Sequence, residues 1–122
     1  MSEKFTEEEK DAARALLAAL EPFRAMRPTI PLQYVHLFLN IVLEEGKSVS
    51  EYERDLGTAQ TVMSRHLKEI GERTRSKQEG LGLVMQKADM NDMRKHLVHV
   101  TPLGKSTMHK VKLALHYFIR KK

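Results

Sequence analysis

Two short helical segments broken at Gly57 constrain this chain more than any other feature. The first, SVSEYERDL, opens at Ser48 with Glu51 three residues on. That is a capping box, in which hydroxyl and carboxylate satisfy each other's orphan backbone donors in the first turn. Gly57 ends the segment, because glycine enters the left-handed region without steric cost. Thr58 is then the expected N-cap of the second segment, TAQTVMSRHLKEIG, which stops at Gly71. Within it Met63, Leu67 and Ile70 recur at i, i+4 and i+7 and predict a buried stripe. Two short helices around a tight turn, the second of them basic, make a helix-turn-helix pattern.

The flanking segments fit around that core. Residues 72–81, ERTRSKQEGL, have no apolar period and read as a loop. GLVMQK and RKHLVHV read as short strands on either side of a polar turn, ADMNDM, with Val98 and Val100 on one face. A β-hairpin directly after a helix-turn-helix is a wing. Thr101 and Pro102 restart a helix as N-cap and first-turn residue, with Met108, Val111, Leu115 and Phe118 as its stripe and Arg120, Lys121 and Lys122 at its end. Upstream, Thr6 and Glu9 form another capping box. Behind it Ala12, Ala13, Leu16, Leu17, Leu20 and Phe23 make an apolar stripe. Pro22 is expected to kink or end that helix near Leu20. Pro31 suits the first position of the next helix, which is apolar over much of its circumference, and Gly46 suits its left-handed cap. The fold class is therefore mainly α with a small β-hairpin (α+β), a winged helix-turn-helix with terminal helices outside it. One domain is expected over 1–122, with helices at 6–27 and 102–122 and a central lobe at 31–100 that carries a wing at 82–100.

Charge is distributed unevenly. Residues 1–57 hold 7 Lys/Arg against 11 Asp/Glu, whereas residues 58–122 hold 14 against 5. A basic half of this kind is either a solvated surface or the footprint of a face that binds a polyanion. The absence of cysteine excludes a disulfide scaffold and thiolate chemistry. No apolar run approaches the ~20 residues that span a bilayer, and the acidic MSEKFTEEEK start is unlike a secretion signal, so a cytoplasmic chain without membrane contact is expected. No Gly-rich phosphate loop, GxSxG or HExxH occurs, so neither an enzyme nor a metal or cofactor site is expected. The histidines 36, 66, 96, 99, 109 and 116 have no ligand spacing.

From Pro31 to Gly104 the chain resembles the MarR-type transcription regulators. The resemblance is carried by TAQTVMSRHLKEIG with its Ser64–Arg65 pair, by D-x-x-D-x-R at Asp89, Asp92 and Arg94, and by VTPLG from Val100 to Gly104, where Val100 stands in place of the usual Leu. It implies a homodimer whose terminal helices interlock, with Leu16, Leu20, Phe23, Met108, Val111, Leu115 and Phe118 at the interface. Two recognition helices would enter successive major grooves of a pseudo-palindromic site. It also implies that Asp89 and Asp92 shape the wing, an Asp orienting Arg94 by an ion pair. The family often takes small-molecule effectors, although no pocket residue can be named from the sequence.

Helical spacing points Thr61, Ser64, Arg65 and Lys68 away from the stripe, with Val62 at its edge and Thr58 and Gln60 at the start. Arginine pairs bidentately with guanine, hydroxyls bond bases or phosphates, and a valine can meet a thymine methyl. Lys87, Asn91, Arg94 and Lys95 are the wing residues expected on phosphate or in the minor groove, and Arg73, Arg75 and Lys77 add charge between helix and wing. The reading is a sequence-specific DNA-binding transcription regulator, a dimeric repressor that occludes its operator on double-stranded DNA. Two alternatives stand beside it: a winged-helix protein of replication or segregation that binds DNA in arrays, and a winged-helix module for protein interaction.

Overall fold

The computed structural model describes residues 4–72 and 80–119. In chain order the elements are α1 (Glu7–Met26), α2 (Leu32–Leu43), α3 (Val49–Leu56), α4 (Gln60–Ile70), β1 (Val84–Asp89), β2 (Asp92–Val100) and α5 (Pro102–Ile119). Arg73, Arg75, Lys77, Arg120, Lys121 and Lys122 lie outside the described residues. The chain forms two compact units, one of residues 30–105 and one of residues 1–29 with 106–122. No helix among the described residues is long and apolar enough to cross a membrane.

The unit of residues 30–105 is a winged helix-turn-helix. Its core is built from Val35, Leu37, Phe38 and Ile41 of α2, Tyr52 of α3, Met63, Leu67 and Ile70 of α4, and Leu83, Val84, Val98 and Val100 of the hairpin. Burying a side chain of this size contributes about 1.5–3 kcal/mol, so these residues dominate the lobe's stability. The Ser48 box closes as expected, Glu51 N–H donating to Ser48 Oγ at 3.3 Å and Ser48 N–H to Glu51 Oε1 at 3.0 Å. Gly57 takes φ +63°, ψ +34° and ends α3.

Thr58 does not cap α4. Its N–H returns to the Glu53 carbonyl at 3.0 Å, so it completes the end of α3, and Ala59 occupies the N-cap of α4 without a side-chain acceptor. Two other residues expected at helix ends shift as well. Pro31 stands one residue before α2, its carbonyl accepting from Tyr34 N–H. Gly46 lies beyond the Glu44 cap with φ +92°, turning the chain so that its own N–H reaches the Val98 carbonyl at 2.8 Å.

That turn makes the segment after α2 a short extra strand beside the hairpin. Val98 N–H donates to the Lys47 carbonyl at 2.9 Å, Ser48 bridges Leu97, and Val100 N–H donates to Glu45 Oε2 at 2.8 Å. Lys47 closes the corner with ion pairs to Asp55 at 2.7 Å and Glu44 at 2.9 Å. These two carboxylates raise the Lys47 ammonium above its ordinary range, and the ammonium in turn lowers Asp55. The base of the wing is thereby tied to the helix-turn-helix.

The hairpin is longer and its turn tighter than the sequence suggests. Val84 pairs Val100, Ala88 pairs His96, and Asp89 then pairs Asp92, so Met93, Arg94 and Lys95 have no partner residue on β1. Carboxylates close the tip: Asn91 N–H donates to Asp89 Oδ1 at 2.9 Å and Arg94 N–H to Asp92 Oδ1 at 3.1 Å. Such side-chain bonds let four of the six residues expected as turn join the strands. At the other end, Thr101 Oγ1 accepts from Gly104 N–H at 3.0 Å and caps α5.

In the other unit, α1 runs unbroken through Pro22 to Met26, with Arg27 N–H closing on the Phe23 carbonyl. Burial of Ala19 and Phe23 on either side offsets the bond that proline cannot make. The buried stripe is Ala15, Ala19 and Phe23, whereas Leu16 and Leu17 are 58% and 64% exposed and Leu20 is half-buried. Phe23 is buried as expected, but ahead of it Ala15 and Ala19 face inward while Ala12, Ala13, Leu16 and Leu17 face outward. On α5, Thr107 and Val111 are buried, Met108, Leu115 and Phe118 half-buried, and Leu113 and Tyr117 exposed.

Candidate nucleic-acid interface

Helix α4 presents three surfaces, set by its 3.6-residue turn. Met63, Leu67 and Ile70 lock it into the lobe. Thr61 and Arg65, four residues apart, lie on the exposed crest. Gln60, Ser64 and Lys68 share one flank, and Val62 and His66 the other. No carboxylate among the described residues is paired with Arg65 or Lys68.

The Gln60 flank faces the wing. Between them runs a groove of about 470 Å³ whose polar lining includes Gln60, Ser64 and Lys68 of α4 and Gln86, Arg94 and His96 of the hairpin. Lys95 and residues of α3 complete it, with Glu53 as its one acidic residue among the described residues. Of the residues singled out from the sequence, the structure thus brings Gln60, Ser64, Lys68, Arg94 and Lys95 together, with Thr61 and Arg65 alongside.

Thr58 and Val62 go elsewhere. They line a second groove, of about 480 Å³, with Leu32, His36, Leu56 and His66. One residue's step of about 100° carries Val62 past the exposed crest to the far flank. In that groove the His66 ring meets Tyr34 edge-on with centroids 5.2 Å apart. Burial, and then the neighbouring Arg65 charge, hold its imidazole below the ordinary range.

Gln86 and His96 are lining residues that the sequence analysis did not single out. The signal was the period of two: Val84 continues to Gln86, and Val100 through Val98 to His96, on one face of the hairpin. That face is buried at its base and turns polar where it passes beyond the helices.

In the wing, Lys87, Asn91, Arg94 and Lys95 are exposed and Asp89 and Asp92 half-buried. Asp92 Oδ1 accepts from Arg94 Nε at 3.2 Å as well as from its N–H, so one carboxylate holds both the backbone and the root of the guanidinium. The Arg94 side chain is 92% exposed. It therefore offers its terminal amines to solvent from a fixed base.

Exposed crest, polar groove and wing lie on one lobe with a winged helix-turn-helix fold. The fold is that of the MarR-type regulators. The transcriptional regulator Tm0710 from Thermotoga maritima is similar over 92% of this chain and 72% of its own, at 20% identity and TM-score 0.66. A MarR transcriptional regulator from Methanosarcina mazei Go1 is similar over 91% and 73%, at 14% identity and TM-score 0.60. Reduced AbfR, solved bound to DNA, is similar over 90% and 75%, at 16% identity and TM-score 0.58. No family model and no curated protein sequence matches the chain.

Proposed function

We propose that the chain is a sequence-specific DNA-binding transcription regulator. The observation that carries this reading is the α4 crest of Thr61 and Arg65, beside a flank of Gln60, Ser64 and Lys68 that lines the same groove as Arg94 and Lys95. A helix crest of this composition suits base edges in a major groove, and a basic wing suits the adjoining backbone or minor groove. The excess of Lys/Arg over Asp/Glu in residues 58–122 supplies the electrostatic attraction to phosphate. The fold shared with AbfR, a protein solved bound to DNA, adds support.

The working form is a homodimer through α1 and α5. Leu16 and Leu17 on α1, with Leu113, Tyr117 and Ile119 on α5, are each more than half exposed, and a second copy would cover them. Phe23 and Val111 are already buried within the chain and contribute by shaping those helices rather than by offering free surface. Two lobes related by a two-fold axis would read a pseudo-palindrome, and occupation of that site would exclude other proteins from a promoter, which is repression by occlusion.

Selection of bound sequences from a random duplex pool, followed by footprinting, tests the reading. One short inverted repeat protected on one face is expected. Long, regularly repeated protection would favour an array-forming protein instead, and no retention of any duplex at low salt would overturn DNA binding altogether.

A further inference from the structure

The polar turn of the wing carries two large apolar side chains that nothing covers. Met90, in the two-residue turn, is 89% exposed, and Met93, in the unpaired stretch of β2, is 67% exposed. Neither contributes to the core, and the turn does not need them, since its closing bonds come from Asp89 and Asp92. The exposed basic residues Lys87, Arg94 and Lys95 lie within three residues of one or the other along the hairpin. The two acidic side chains at the tip are turned to internal work, Asp89 on Asn91 and Asp92 on Arg94. What projects from the wing is therefore a pair of flexible thioethers with exposed cations on both flanking strands.

We propose that the two methionines of this tip form an apolar wedge for the DNA minor groove, Met90 and Met93 leaning against sugar walls and into a base step while Lys87, Arg94 and Lys95 on the flanking strands hold phosphates. The assignment rests on the DNA-binding reading above. Its chemistry is general: unbranched apolar side chains inserted from the minor groove unstack a step and bend the duplex, and cations beside them supply the attraction. The charge of Lys87, Arg94 and Lys95, the last two also lining the groove beside α4, selects a polyanion over an apolar protein surface as the occupant.

The test uses the full chain and short duplexes of alternating A·T, I·C and G·C. An I·C pair presents a G·C-like major groove but an A·T-like minor groove, because it lacks the guanine amino group. The double variant M90A/M93A is expected to bind the A·T and I·C duplexes about tenfold more weakly, the loss of apolar burial, with the dependence on salt unchanged. The isosteric apolar variant M90L/M93L should restore binding, and M90Q/M93Q should not. A 2-aminopurine base placed at a TA step should brighten when the wild-type chain binds and stay dark with M90A/M93A. Equal binding by M90A/M93A and wild type, while R94A binds more weakly, would overturn the wedge and leave the DNA-binding reading intact. Failure of the wild-type chain to bind any of these duplexes at low salt would overturn both. Because both methionines are exposed, the variants should keep the wild-type melting temperature, which confirms that the comparison reads contact rather than folding.

Discussion

Asp92 Oδ1 receives two donors from one residue, the backbone N–H of Arg94 at 3.1 Å and its Nε at 3.2 Å. The carboxylate closes the wing turn and aims the guanidinium with the same oxygen. An exposed ion pair of this kind contributes only ~0.2–1 kcal/mol to stability, so its value lies in orientation. Asp92→Ala should therefore leave the melting temperature nearly unchanged and weaken DNA binding. In a double-mutant cycle with Arg94→Ala, the two losses should fall well short of additive. Strict additivity in a filter-binding assay would show that Asp92 does not act through Arg94.

Arg65 and Arg94 should behave differently on DNA. Arg65 is exposed on the crest of α4 and Arg94 on the wing; on the proposed reading the first would reach base edges and the second backbone or minor groove. Arg65→Ala should cost about 1–3 kcal/mol per half-site on the selected sequence and little on random duplex. Arg94→Ala should weaken both by similar factors and reduce the salt slope. Titrations at several salt concentrations decide it, and the reverse pattern would exchange the roles of helix and wing.

Dimerisation is expected to depend on the outward leucines of α1. Leu16→Glu with Leu17→Glu replaces two exposed apolar side chains by charges, so the folded monomer should survive while the dimer dissociates. Sedimentation equilibrium should show half the wild-type mass, with far-UV circular dichroism unchanged. Wild-type mass in the variant would move the interface away from this face of α1.

Gly104 has no room for a side chain. A Cβ there would overlap the Leu83 carbonyl oxygen and Val100 Cγ1, neither of which can withdraw from the hairpin base. Gly104→Ala should destabilise the lobe by about 1–3 kcal/mol, the usual cost of overpacking. Urea denaturation reads this directly, and an unchanged midpoint would mean that α5 can shift away from the strands.

His66 should make stability depend on acidity. Its folded value lies below the ordinary 6.5, first through burial and second through Arg65. The unfolded chain then binds more protons than the folded one as pH drops below that ordinary value, so stability falls with falling pH in this window. His66→Phe keeps a ring against Tyr34 and removes the titration. Its unfolding free energy should decline less than that of wild type between about pH 7 and pH 5. Parallel curves for the two chains would assign the acid loss to other groups.

The helix-turn-helix and wing were legible because their signals are local. The Ser48–Glu51 box, the left-handed Gly57 and the Met63–Leu67–Ile70 stripe each act within a few residues. The same locality explains the errors. Thr58 has the chemistry of an N-cap, but its N–H closes on Glu53 and its hydroxyl turns back to the Leu56 carbonyl, so α4 starts one residue later behind Ala59. Pro22 breaks a helix in isolation, but not one with Ala19 and Phe23 buried around it.

The sequence by itself determined the order of elements, the core stripe of α4 and the basic character of everything after Thr58, because backbone caps, side-chain periodicity and charge need no distant partner. Only the tertiary structure decided which flank of α4 faces the wing, which face of α1 turns inward, and that Gln86 and His96 join Lys68 and Arg94 in one groove. Those outcomes depend on how the hairpin docks. Docking is set by contacts between residues far apart in the chain, such as Glu45 with Val100 and Ser48 with Leu97, which no local pattern encodes.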